Sequence, residues 1–545
     1  MSCTIANRSR AASLSLFILV LGVAPASGAL LTGKITDADT GAPLAARLYL
    51  ESTSGERLFV ASASNQGKAV TYARTNWINP RSIEFHTSLS AHGFQVNLPP
   101  GTYTFTAEHG KEYLPNVTTV TLGDQPLQIE LKLKRWINMA ERGWFSGDGH
   151  VHRPLADLPT LVLAEDLNVA LPQTYWVTRA FNPPTSGDKN TEAEIPAQLL
   201  KADDTHVIWP RNTEYEIFSV AGKDHNLGAV FIVNHREPFT LGAPPMAAVA
   251  AEAHRQGALL DIDKCNWAWS LMLPPVMNLD LYELANNHLW RTECAFTNFN
   301  VPAPAFMNLP DAGRSGGERD WMDYTLRSYY ALLNCGFRMR PTAGTASGVH
   351  PVPLGFGRVY VHCPRGFTYE EWIKGLGAGR SFVTTGPMLL AEINGEVPGG
   401  KFALKPGKTR TIKLTGTVTS ERLVAGVEVL VNGEVVRTIP SRGKPTAAGA
   451  FSAKFSERLT ISGTSWVALR VWEPRDDGRL RFAHTAPSWF EDASQPLRPR
   501  RVEADWLVER MQQQVELNRG VLPPDAVAEF QQALEFYQRM RVEAR

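Results

Sequence analysis

The sequence predicts a multidomain protein: an N-terminal β-sandwich, a central α/β region, and a C-terminal β-sandwich followed by a helical hairpin. Three observations predict it. A length of 545 residues suits about three or four domains. Short apolar/polar alternations broken by turn residues fill both flanks, the pattern of half-buried strands. Between them, helical stretches alternate with short apolar runs, as in a largely parallel sheet with crossover helices. The expected segments are 1–29, 30–136, 137–390, 391–490 and 491–545.

Residues 1–29 read as an export signal: Arg8 and Arg10, the apolar run Leu14 to Val23, then Ser27-Gly28-Ala29 as a cleavage site. The run is too short to span a bilayer, and Cys3 precedes it, which argues against a lipid anchor. The mature chain is therefore expected to be periplasmic or secreted, without a membrane span. Cys265, Cys294, Cys335 and Cys363 remain. That compartment permits disulfides, but spacing alone defines no pairing. With Lys+Arg at 55 against Asp+Glu at 54, no basic footprint for nucleic acid exists.

In segment 30–136, Leu31–Ile35, Ala46–Leu50, Thr102–Phe105 and Ile129–Leu133 alternate, with Asp39-Thr40-Gly41-Ala42-Pro43 as a turn. His86, His92 and His109 are expected in loops or at the surface. "GKITDADTGAPLAARLYL" followed by "LPPGTYTF" resembles the carboxypeptidase-regulatory-like, transthyretin-like sandwich family, which implies a fold and little about function. In the central segment, Ala247–Gln256 reads as a helix, and Ala229–Val233 and Ala258–Ile262 as strands. Nine of the thirteen histidines fall between His150 and His362, which points to a site there. In segment 391–490, Asn432-Gly433 between Val427–Val431 and Glu434–Val436 is a hairpin signal, and Trp466–Trp472 is a strand. The tail carries two helical stripes: Leu507, Met511 and Val515, then Val527, Phe530, Leu534 and Tyr537. This hairpin is expected to dock on the domain before it.

The chemistry centres on Gly143–Arg153, "GWFSGDGHVHR". Side chains at i and i+2 of a strand share a face, so His150 and His152 can meet one metal ion. Asp148 lies on the same face and is expected to orient an imidazole. The bland alternative is a pair of polar residues on a half-buried strand.

The central segment resembles the PHP (polymerase and histidinol phosphatase) metallohydrolase superfamily, in its CehA/McbA-like branch. The resemblance rests on "GWFSGDGHVH", "WPRNTEYEIF" with "KDHNLG", "HRQGALLDID", "LYELANNH", "GFRMRPTAGTASG" and "YEEWIKGLGAGRSFVTTGPML", in that order. It implies a distorted (β/α)7 barrel with ligands at strand ends, holding one to three divalent ions (zinc, manganese or iron). By that resemblance His150, His152, Glu165, His225 and His288 are metal ligands. Glu214 or Glu216 is the bridging carboxylate, and their shared strand face leaves the choice open. Two departures stand out. Asp263-Lys264 replaces the family's His-Pro, and Thr345-Ala346-Ser347-Gly348 lacks its Asp and His, with His350 as the nearest substitute.

Asp263, His235 and His350 are the candidate proton acceptors, and Lys264, Arg153 and Arg236 the candidate anion-binding groups. His206, His254 and His362 read as ordinary surface or strand positions. Trp267, Trp269 and Trp290 either wall a pocket or pack a core. The expected function is an exported metal-dependent hydrolase of a phosphoester or a carboxyl or carbamate ester, on a small-molecule or polysaccharide substrate. The alternative is a catalytically weakened domain that binds polysaccharide or protein.

Overall fold

The computed structural model describes residues 28–186, 194–295, 303–309 and 317–545. The export-signal reading falls almost wholly on residues 1–27, outside the described residues. The chain is mostly β-structure, arranged in several sheets, with few helices beyond the C-terminal pair. No helix among the described residues is long and apolar enough to cross a membrane.

Alternation builds the N-terminal sandwich as expected. One sheet centres on Ala29–Asp37, which pairs parallel with Leu127–Arg135 and antiparallel with Phe94–Leu98. The other runs through Asn116–Leu122, Gly101–Glu108, Ala46–Ser52, Ile83–Leu89 and Ala69–Thr75. Their inner faces bury Leu31, Ile35, Leu48, Phe94, Phe105 and Leu131. His92 is exposed as expected, but His86 and His109 are buried. His86 bonds Glu84, which also accepts from Arg291 of the central region, and His109 bonds the carbonyl of Ala164. The sandwich docks on the central region there, and docking removes these imidazoles from water.

The central segment departs from a mainly parallel sheet. Its six-stranded sheet runs Tyr175–Arg179, Thr213–Val220, Lys223–Val233, Leu259–Ile262, Leu281–Ala285, Arg340–Ala343. Two of its pairings are antiparallel, on either side of Lys223–Val233, because a tight turn at Ala221 and Gly222 replaces a crossover helix. Trp144–Val151 lies in a second sheet, parallel to Val169–Pro172 and antiparallel to Arg358–His362. The two sheets approach where Ser347, beyond Arg340–Ala343, bridges Val151 and accepts from the His152 amide at 2.8 Å.

The expected break at 390/391 does not divide the sheets. Ser381–Thr384 pairs with Leu480–Thr485, so one twelve-stranded sheet continues into the C-terminal region. Pairing covers an edge that would otherwise present unpaired backbone groups. A four-stranded sheet on Arg410–Ser420 and Phe451–Ile461 packs against it over Leu389, Ile412, Leu414, Val429, Val467 and Leu469. The Asn432-Gly433 hairpin forms as expected, with φ of 51° and 87°, the positive pair that a two-residue turn requires.

The two C-terminal helices, Arg501–Asn518 and Pro524–Glu543, bury their expected stripes except for Val527, which is half-buried, but against the central region rather than the sandwich before them. Each large apolar side chain so buried contributes about 1.5–3 kcal/mol. Polar contacts set the docking: Glu529 accepts from the amides of Met246 and Ala247 at 2.6 and 2.7 Å, and Tyr537 donates to the Leu271 carbonyl. Those amides begin the helix Ala247–Gln256, whose first N–H groups have no partner within the helix.

Candidate metal centre

Strand alternation brings His150 and His152 together. Their Nε2 atoms are 3.0 Å apart, and both residues are buried. Asp148 does not touch either ring. Its carboxylate instead accepts from the backbone of Thr345, His150 and Gly355 and from the Thr345 hydroxyl, pinning the strand to the loop after Arg340–Ala343. Burial pushes the Asp148 carboxyl up to about 6 against the pull of those bonds. Glu283 orients the imidazole, with Oε2 3.2 Å from His150 Nδ1.

Two glycines permit this approach. A Cβ on Gly344 would lie 2.3 Å from His150 Cβ and 2.6 Å from Glu283 Oε2. Gly348, at φ 112°, would place one 2.3 Å from the His152 carbonyl oxygen. Thr345–Gly348 serves here as backbone packed against the two histidines.

Glu214 and Glu216 have different neighbours. Glu214 Oε2 is 3.3 Å from His152 Nε2, and its other oxygen is 3.9 Å from His150 Nε2. Glu216, two residues along, faces Lys264 at 3.4 Å. Lys264 also ion-pairs with Asp263 and lies 4.5 Å over the Trp267 ring. Burial opposes its charge, but Asp263, Glu216 and Glu214 raise its pKa above the ordinary lysine value. Glu283 is pushed well up by burial and then by Asp263 and Asp261.

Among the described residues, two overlapping groups have ligand atoms within 4.8 Å of one another: His150, His152 and Glu214; and His150, Asp263 and Glu283. All are buried. A tetrahedral ion bonded at about 2.0–2.1 Å would separate its ligand atoms by about 3.4 Å. The 3.0 and 3.3 Å separations approach that value. Glu283 Oε1 is buried without a hydrogen-bond partner among the described residues, an orphan that a cation would satisfy. The donor set therefore fits a divalent ion. Asp263 stands just past the C-terminal end of Leu259–Ile262, where α/β enzymes gather ligands, whereas Glu283 is mid-strand in Leu281–Ala285. Glu214 lies near the start of its strand, Thr213–Val220.

Other expected residues lie elsewhere. Glu165 is ion-paired with Arg47 of the N-terminal sandwich, so a docking contact, not an ion, occupies it. His225 bonds Asn518 of the C-terminal hairpin at 2.7 Å, outside the cavity. His235 is fully buried against Thr213 and Phe239 and does not line the cavity. Arg153 lies 4.2 Å over Tyr72, also away from the cavity. His288 does line it, but stacks on Trp321 and bonds the Ala295 carbonyl instead of joining the His150 group. His350 lines it between Trp77 and Trp290. Trp267 walls the cavity, while Trp269 and Trp290 are core. Cys265, Cys294, Cys335 and Cys363 are free thiols.

The cavity has a volume of about 500 Å³ and is bordered by His150, His152, Glu214, Glu216 and Lys264 together with aromatic side chains. Glu283 escaped the sequence reading. Its signal was a carboxylate inside the wholly buried strand Leu281–Ala285, where an unpaired charge is unfavourable. No protein-family model matches the chain, and neither the curated proteins nor the solved structures include a match.

Proposed function

We propose that the central region is a metal-dependent hydrolase of the PHP type, CehA/McbA-like, acting on a phosphoester or a carboxyl or carbamate ester. The observation that carries the reading is the convergence of His150, His152 and Glu214 at the wall of a 500 Å³ cavity. The return of the Ser347 segment onto Val151 supports a closed, barrel-like ring of strands. The arrangement suits one ion better than several, because the Lys264 ammonium already neutralises Asp263 and Glu216.

His150, His152 and Glu214 would hold the ion, with Glu283 fixing the tautomer of His150. Zinc, manganese or iron at such a set acidifies water and polarises a carbonyl or phosphoryl oxygen. Lys264, at the cavity wall, stands where it can hold a negatively charged substrate oxygen, while Asp263, fully buried and paired with Lys264, does not line the cavity and serves as its counter-charge. Read with the export signal, the enzyme acts in the periplasm or outside the cell.

The same Lys264 contacts favour a second reading, a weakened centre that binds polysaccharide or protein without turnover. Metal analysis and a panel of chromogenic phosphate and carboxyl esters separate the two. The hydrolase reading expects about one transition-metal ion per chain, held by one three-ligand set that leaves a position open for water, and turnover that chelation removes. Metal content near zero after reconstitution overturns it.

A further inference from the structure

The cavity wall is completed from another part of the chain. The loop between Ala69–Thr75 and Ile83–Leu89 of the N-terminal sandwich reaches the central region and is clamped there. Asn76 and Asn79 donate to the two Glu293 oxygens at 2.6 and 2.9 Å, and Ser82 bonds Thr292 at 2.6 Å. Tyr72 donates to the His350 carbonyl, and Arg74 to that of Gly348. These contacts hold Trp77 and Ile78 in the cavity wall although they are 63% and 65% exposed. Large apolar side chains left in water at a built cavity mark a ligand surface.

Trp176, Phe218 and Trp267 add further rings to that wall, and Asn226, Asn266 and Asn287 place amides among them. Asn266 and Asn287 are 4% and 3% exposed, and the Oδ1 of each is buried without a hydrogen-bond partner among the described residues. An unmet amide oxygen is unfavourable unless a ligand donor reaches it. A wall of rings interleaved with amides suits a ligand whose face is C–H and whose edge is hydroxyl.

We infer that the cavity binds a pyranose ring, stacked on Trp77 and Trp267 and read at its hydroxyls by Asn266 and Asn287. The N-terminal sandwich is then part of the binding site. That the sugar is a substrate rests on the hydrolase reading; its recognition does not. A purely aromatic ester would leave both amides unmet, and sites built to bond a hydroxyl reject ligands that lack one.

The test titrates the full chain with neutral gluco-, galacto- and manno-configured tetrasaccharides and with phenyl acetate, by calorimetry and tryptophan fluorescence, with and without chelator. At least one tetrasaccharide should bind saturably in both conditions. Trp77→Ala should weaken it by roughly three- to tenfold, the worth of one ring contact, and Trp77→Phe should restore part of the loss. Binding of phenyl acetate alone, binding of no probe, or saccharide binding indifferent to Trp77→Ala would each overturn the inference. Saccharide binding that persists while ester turnover is absent sinks the hydrolase reading and leaves this one standing.

Discussion

The Nε2 atoms of His150 and His152 lie 3.0 Å apart, with a Glu214 oxygen 3.3 Å from the second. Three donors this close, buried together, are stable only when a proton or a cation lies between them. His150→Ala combined with His152→Ala should therefore abolish metal binding in elemental analysis. Metal content equal to wild type would place the ion elsewhere.

Glu283 holds His150 Nδ1 at 3.2 Å. Partners that orient a ligating imidazole are typically worth about 10–100-fold in metal affinity. Glu283→Gln should weaken binding by that order, measured by competition with a chromogenic chelator, while the circular dichroism spectrum stays unchanged.

Lys264 is the buried counter-charge of Asp263 and Glu216. Removing one partner of a buried ion pair destabilises by about 3–5 kcal/mol. Lys264→Met should lower the Tm at pH 7 and, by freeing two carboxylates, let added manganese restore it. A Tm that manganese leaves unmoved would remove Lys264 from the role of a built-in cation.

Glu165 pairs with Arg47 across the sandwich interface. Glu165→Gln should lower thermal stability and leave metal content unchanged. Lost metal with unchanged stability would return Glu165 to the ligand set.

His484 and His235 are held neutral in the native protein. Burial, reinforced by Arg470, pushes His484 down to about 3, and burial pushes His235 down to about 4. Both values lie below the ordinary 6.5, so the unfolded chain binds more protons than the native one as pH falls. Their stabilisation is complete above about pH 6.5 and is lost progressively toward pH 4 and then 3, on the order of several kcal/mol. Tm measured from pH 7 to 4 should fall, and His484→Gln should flatten the decline.

Much of this architecture was legible where the signal is local. The helix Ala247–Gln256 and the Asn432-Gly433 turn form where periodicity and turn chemistry put them. So does the pairing of His150 with His152, which needs only the two-residue repeat of a strand. Glu283 was not legible, because a lone carboxylate in an apolar strand acquires meaning only when that strand lies near His150. Nor were the positions of His86, His109 and Glu165, whose partners Arg291, Ala164 and Arg47 lie far away in sequence.

By itself the sequence determined the β-rich flanks, the C-terminal helices and the two histidines at one strand end. Each follows from contacts between residues a few positions apart. Tertiary structure decided which carboxylates join those histidines, that Lys264 neutralises the others, and that Trp77 of the sandwich enters the cavity wall. These depend on sheet pairing and domain docking, where burial energy summed over many distant side chains selects one arrangement that no short window encodes.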